Sequence, residues 1–242
     1  MIASQDFFVG IQDVGEGNLI TNKAILEALT NVTNLHGHMV GQSMDDEAYR
    51  HLEWMVLRWK LQVFKRCRVC ETITARTWVI DYLRNLTNRD YDILDSNGEV
   101  CAVATAVWGA ADPEKGVMRR LTPELMEVYG PEPDEHRLYG YKYINVRSLD
   151  LGEPVGVTEF RTAKSMVDCN NHVHNPAYLD FAMEALPHGL DTKHYDDVEI
   201  AYRREVKPES VVRIEHYEYE DEQIILVKSQ DGKTLHASII LK

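Results

Sequence analysis

The 242 residues are 44% hydrophobic and 27% charged, enough for one large or two small globular domains with a substantial core. A formal net charge of −13 excludes a chain built mainly to hold nucleic acid, because phosphate binding needs a basic surface. No run approaches the roughly 20 consecutive apolar residues of a membrane span, and residues 1–10 lack a basic stretch followed by an apolar one. The expected setting is the cytoplasm, or an organelle that holds a processed product.

Along the chain, Phe7–Gln12 reads as a strand and Asp13–Asn18 as a polar, glycine-rich turn. A helix is expected over about Asn22–Val40, with Ile25, Leu26, Leu29, Val32, Leu35 and Met39 at helical spacing. Strand-like runs follow at Leu57–Phe64, Thr72–Ile80, Asn88–Leu94 and Val100–Trp108. The same order then recurs. Phe160–Met166 reads as a strand, Val167–His174 as a polar loop and Asn175–Leu186 as a helix, before strands at Val198–Val206, Ser210–Glu220, Gln223–Ser229 and Thr234–Leu241. One offset of 153 residues takes Phe7 to Phe160, Asn22 to Asn175 and Leu26 to Leu179. Asn97-Gly98 and Asp231-Gly232 mark the closing hairpins of the two halves and predict type I′ turns.

A helix with one apolar stripe needs a sheet face to cover it. Strand, helix, then several antiparallel strands is the hotdog unit, so the expected fold is α+β. It is a double hotdog, two long helices each wrapped by a curved antiparallel β-sheet. The expected division is 1–130, a linker at 131–137 rich in proline and charge, and 138–242.

The informative segment is Asp168-Cys169-Asn170-Asn171-His172-Val173-His174-Asn175-Pro176-Ala177-Tyr178. In an extended loop Asp168, Asn170 and His172 would share one side, with Cys169 pointing away. Pro176 suits the first turn of a helix, whose N-terminal N–H groups and dipole favour an anionic intermediate. A carboxylate, an amide and an imidazole beside such a helix end are parts that acyl hydrolysis needs. The bland reading, Asx turns at Asp168 and Asn170, stands beside it. At the 153-residue offset Gly15, Gly17 and Leu19 occupy the places of Asp168, Asn170 and His172, so the reactive set belongs to the second half alone.

This segment resembles the D-x-N-x-H-V-N-N-x-x-Y motif of acyl-acyl-carrier-protein thioesterases of the bacterial and plant plastid type, with His174 in place of the first Asn of the pair. Ile200-Ala201-Tyr202-Arg203-Arg204-Glu205 is similar to the family's E-Y-R-R-E run. Weaker similarity covers Thr77–Val79, Arg89–Gly98 and Val107-Trp108 in the first half. The resemblance implies a hydrolase acting on acyl carrier protein thioesters, with Asp168, Asn170, His172 and Glu205 as catalytic residues. It implies substrate contacts at Asn175 and Tyr178, and Arg203 and Arg204 as clamps for phosphopantetheine or the carrier. An acyl tunnel in the first half would draw on Ile25, Leu29 and Val32. Val206 stands where plant members carry a cysteine, so a nucleophilic thiol at that place is ruled out. A plastid stroma setting would suit a plant-type product, and the resemblance leaves room for a homodimer.

No metal or cofactor is implied. Cys67 and Cys70 form a C-x-x-C without a second ligand pair, and His36 and His38 lack partners at zinc spacing. Arg58, Lys60, Lys65, Arg66 and Arg68 are candidates for a local basic patch that an acidic carrier would need. An acyl-CoA thioesterase and a non-catalytic acyl-thioester-binding module are the alternatives on the same fold.

Overall fold

The computed structural model describes residues 1–42, 46, 52–112 and 114–242. The first half holds β1 (Ala3–Phe8), α1 (Asn22–Met39), β2 (Glu53–Val63), β3 (Thr72–Leu83), β4 (Leu86–Leu94) and β5 (Val100–Asp112). A two-residue strand β6 (Val117–Met118) and a one-turn helix α2 (Pro123–Met126) follow. The second half holds β7 (Gly156–Arg161), α3 (Tyr178–Ala185), β8 (Asp197–Tyr202), β9 (Val211–Tyr219), β10 (Glu222–Ser229) and β11 (Leu235–Leu241).

The strands form one antiparallel sheet in the order β1-β3-β4-β5-β2-β8-β11-β10-β9-β7, with β6 pairing β5. Read outward from the β2–β8 seam, the two halves list equivalent strands. At the seam Trp59 faces Ile200 and Leu61 faces Val198, all almost wholly buried.

The N-terminus of α1 is set by Thr21, whose Oγ1 accepts the Ala24 N–H at 3.2 Å. Its buried stripe of Ile25, Leu26, Leu29, Val32 and His36 lies against the concave face of the sheet, and Gly41 (φ 71°) follows its end. Burial of each such aliphatic side chain contributes about 1.5–3 kcal/mol. The second helical segment covers the expected range but is not one continuous α-helix. A single 3-10 turn at Asn175–Ala177 leads into the eight residues of α3.

Both first strands lie a few residues earlier than the sequence suggests. The strand expected at Phe7–Gln12 is Ala3–Phe8, and that expected at Phe160–Met166 is Gly156–Arg161. These are sheet edges with mostly exposed residues, so the apolar residues near their ends mislead. The 153-residue offset survives the correction, since Ala3 maps to Gly156 and Phe8 to Arg161. The hairpins are where expected, but the turn is different. Gly98 N donates to the Asp95 carbonyl at 2.9 Å and Gly232 N to that of Ser229 at 2.7 Å. Gly98 (φ 79°) and Gly232 (φ 75°) are left-handed while Asn97 and Asp231 are not, so only the glycine carries the unusual conformation.

Residues 131–149 form a strap across the convex face. The Trp78 indole donates to the Glu135 carbonyl at 2.6 Å, and Arg137 pairs with Asp92 at 3.0 Å. Further on, Arg58 lies over the Tyr143 ring, and Ile144 N donates to Glu199 at 2.8 Å. Val146 then packs with Tyr217, Ile224, Leu226 and Ile240.

Candidate active site

The motif loop is not extended. Val167 bridges to Val173, Asp168 N donates to the His172 carbonyl at 2.9 Å, and Asn171 takes a left-handed φ of 61°. The first half repeats this geometry at the same offset. Val14 bridges to Ile20, Gly15 N donates to the Leu19 carbonyl at 2.9 Å, and Asn18 has φ 59°. The backbone of the loop is therefore a property of the fold, and its side chains are what differ.

Because the loop turns, its side chains do not alternate between two sides. Asp168, Cys169 and Asn170 all line one cavity, together with His174 and Asn175, while His172 does not. One Asp168 carboxylate oxygen accepts the N–H groups of Asn170 (2.9 Å) and His172 (3.3 Å), which is the Asx-turn reading for that residue.

His172 meets Glu205 from another direction. Its Nε2 lies 3.8 Å from Glu205 Oε1, and Lys207 Nζ stands 2.9 Å from that nitrogen and 3.1 Å from that oxygen. With Lys207 as donor, Nε2 is an acceptor, so the proton of a neutral ring sits on Nδ1. Partial burial pushes the Glu205 carboxyl up, but the hydrogen bond from Lys207 leads the influences that outweigh it and hold the group below the usual carboxylate range. Lys207 belongs to neither sequence motif. It lies just past the E-Y-R-R-E-like run, and only its place two residues beyond Glu205 could have flagged it.

The strand expected to run through Val206 ends at Tyr202, and Arg203 to Val206 leave the sheet. Val173 N donates to the Val206 carbonyl at 3.1 Å and Val206 N to Tyr178 Oη at 3.1 Å. The Tyr202 hydroxyl donates to the Asn175 carbonyl at 2.9 Å. These bonds tie the segment that carries Glu205 to the motif loop. In the first half Ile20 N donates to the Cys67 carbonyl at 2.9 Å, so Cys67 stands where Val206 does and Arg66 where Glu205 does. With Leu19 in place of His172, the first half lacks both reactive groups.

The cavity, about 370 Å³, extends from the motif loop between α1 and the sheet of the first half, reaching Thr33, Trp54, Arg89, Trp108 and Tyr129. Ile25, Leu29 and Val32, expected to line an acyl tunnel, are at most 2% exposed and lie in the core on another face of α1. His36 is buried, His38 is exposed, and no metal-holding cluster exists among the described residues.

Of the basic candidates, Lys60 pairs with Asp197, Lys65 with Asp95 and Arg66 with Asp196, so none of these three offers uncompensated charge. Arg68 donates to the Gly17 carbonyl at 3.2 Å. Arg203 instead has like charges for neighbours. Burial, then Arg58 and Arg147, lower its pKa, which places three guanidinium groups in one region. Arg204 is exposed beside His236. The cysteines are free thiols, and the C-x-x-C is split between buried Cys67 and exposed Cys70.

The family models for the acyl-ACP thioesterase N-terminal and C-terminal domains match residues 2–129 and 154–240. The chain belongs to the acyl-ACP thioesterase family. Among curated relatives, oleoyl-acyl carrier protein thioesterase 1, chloroplastic, of Arabidopsis thaliana is 27% identical over 86% of this chain and 61% of its own length. The palmitoyl-acyl carrier protein thioesterase, chloroplastic, of Cuphea hookeriana is 24% identical over 88% and 54%. The chain thus spans about six tenths or less of these plant relatives. Among solved structures, an acyl-ACP thioesterase from Bacteroides thetaiotaomicron superposes with a TM-score of 0.86 at 19% identity, covering 99% of this chain and 96% of that one. The 12:0-ACP thioesterase of Umbellularia californica gives 0.80 at 19%, covering 100% and 96%. The shared fold is the double hotdog expected from the repeat.

Proposed function

We propose that this chain hydrolyses acyl thioesters of acyl carrier protein, releasing a free fatty acid without a cysteine nucleophile. The observation that carries this reading is the Glu205–His172–Lys207 contact, held against the loop that walls the cavity. Glu205, ionised at neutral pH, takes a proton from a water as that water adds to the thioester carbonyl. Asn170 and the Asn175 backbone N–H face the oxyanion, and collapse expels the pantetheine thiolate, which regains a proton from the site. Asp168 shapes the loop and Lys207 holds the Glu205 charge. Asn175 at the cavity wall and Tyr178 behind Glu205 complete the substrate side.

In this reading residues 1–130 supply the acyl pocket, 131–137 begin the strap and 138–242 supply the chemistry. Arg203, with Arg58 and Arg147, meets the phosphopantetheine phosphate or an acidic carrier, a local answer to the net charge of −13. Arg204 extends that surface. Among the described residues no helix is long and apolar enough to cross a membrane. Bacterial cytoplasm or plastid stroma, where acyl chains ride on carrier protein, is the proposed setting. A homodimer also belongs to this reading, and sedimentation of the purified chain tests it.

The deciding assay measures thiol release from acyl carrier protein and from CoA bearing the same chains. The carrier-linked series should turn over faster. Glu205→Ala and His172→Ala should each lower kcat at least about a hundredfold. Near-normal turnover in Glu205→Ala sinks the assignment.

A further inference from the structure

Arg89, on β4, is 5% exposed and borders the cavity. Its Nη1 lies 3.0 Å from His36 Nδ1 and donates to Thr77 Oγ1 at 3.3 Å, and the guanidinium lies 5.4 Å from the centre of the Tyr129 ring. All of these partners are neutral. Burial, reinforced by the Arg89 charge, pushes His36 down to about 3, so the imidazole is an uncharged acceptor. No carboxylate among the described residues pairs with Arg89, whereas the comparably buried Lys60 and Arg66 each hold an aspartate. Enclosing a charge without a counter-ion costs several kcal/mol, and a guanidinium has five N–H donors of which Nη1 supplies only two.

A second observation lies beside the same space. Trp54 and Gln42 also border the cavity, and among the described residues Trp54 Nε1 and Gln42 Oε1 are buried without a partner. Thr30, Thr33 and Thr87 add hydroxyls to the wall. A pocket meant only for an alkyl tail gains nothing from a buried cation and an idle indole N–H, since a methylene chain cannot accept from either.

We infer that this cavity takes an acyl chain bearing a hydrogen-bond-accepting oxygen (hydroxyl, keto or carboxylate), received by Arg89 and Trp54, in preference to a plain alkyl chain. The inference names a substrate class and rests on the thioesterase reading above. Sites built to bond a substrate oxygen discriminate strongly against analogues that lack it, because their own donors are then left unpaired.

The test compares octanoyl, β-hydroxyoctanoyl, β-ketooctanoyl, ω-hydroxyoctanoyl and ω-carboxyoctanoyl chains on one acyl carrier protein. Wild type should favour at least one oxygenated chain over octanoyl by about tenfold or more in kcat/KM. Arg89→Met should erase that preference, bringing the kcat/KM ratio of oxygenated to octanoyl chains to about one. Trp54→Phe, which keeps an aromatic ring but removes the indole N–H together with part of the ring system, should reduce it and serves if Arg89→Met does not fold. Octanoyl turned over as fast as every oxygenated chain, or a preference that survives both variants, overturns the inference. Non-hydrolysable amide analogues of the same chains separate the two readings. If they raise Tm selectively when oxygenated but no thioester is cleaved, the hydrolysis reading fails and this one stands.

Discussion

Tyr178 Oη accepts the backbone N–H of Val206 at 3.1 Å, and the two residues are 2% and 1% exposed. Tyr178 is thus a brace for the segment that carries Glu205. The phenol is pushed up to about 12, first by burial, and remains a neutral hydroxyl. Tyr178→Phe keeps the packing but leaves a buried N–H unsatisfied, at a cost of about 1–3 kcal/mol. Urea denaturation should register that loss, and kcat should fall more than KM changes as Glu205 is displaced. A Phe variant with unaltered stability and turnover removes the bracing role.

Lys207 and Glu205 lead to a prediction about pH. The ammonium helps hold the Glu205 carboxyl below its ordinary range. Lys207→Ala removes that influence, so the carboxyl picks up its proton at a higher pH. The acid limb of the kcat/KM profile should therefore move up. Both groups are at least half exposed, and solvent limits their interaction to about 0.2–1 kcal/mol, a shift below one pH unit. A limb that stays in place, or moves down, contradicts the contact.

Asp168 separates charge from shape. Its Oδ1 holds the N–H groups of Asn170 and His172, a task that an asparagine carbonyl oxygen performs as well. Asp168→Asn should retain folding and most of kcat/KM. Asp168→Ala should lose about 1 kcal/mol of stability and most of the activity, as the loop that presents Asn170 and His172 loosens. If Asn is as damaging as Ala, the carboxylate charge itself takes part in the reaction.

The sequence displayed what has a period or a special conformation. The repeat was legible because strand order and turn glycines recur in the same sequence, with the first strand, loop and helix at one offset that the structure reproduces down to Asn18 and Asn171. Site membership was legible where a motif brings rare residue types together, as in Asp168, Asn170 and His172. Contacts between distant segments were not. Lys207 meets His172 only because β8 ends at Tyr202 and the chain leaves the sheet, an event that Arg203 to Val206 do not announce. Ile25, Leu29 and Val32 have the spacing of a buried stripe, but spacing cannot say whether a stripe faces a core or a cavity. Nor does a strand pattern reveal that Arg89 is buried with no carboxylate paired to it among the described residues.

Glu199 gives the strap a dependence on pH. It is 3% exposed at the β2–β8 seam. Oε1 accepts the Ile144 N–H at 2.8 Å, and Oε2 is buried without a partner among the described residues. Burial raises the carboxyl to about 7, against the lowering influence of the Ile144 N–H, Lys60, Tyr141 and Arg58 around it. The folded state therefore holds a proton that the unfolded chain releases near 4.5. Stability from this group is present at low pH, declines as pH rises from about 4.5, and is lost once pH passes about 7. Glu199→Gln keeps an oxygen for Ile144 and cannot ionise. Relative to wild type it should gain stability between about pH 5 and about pH 8, by at most about 3 kcal/mol. Urea titrations at both pH values measure the difference, and a gap between variant and wild type that does not widen with pH shows that Glu199 ionises as freely in the fold as outside it.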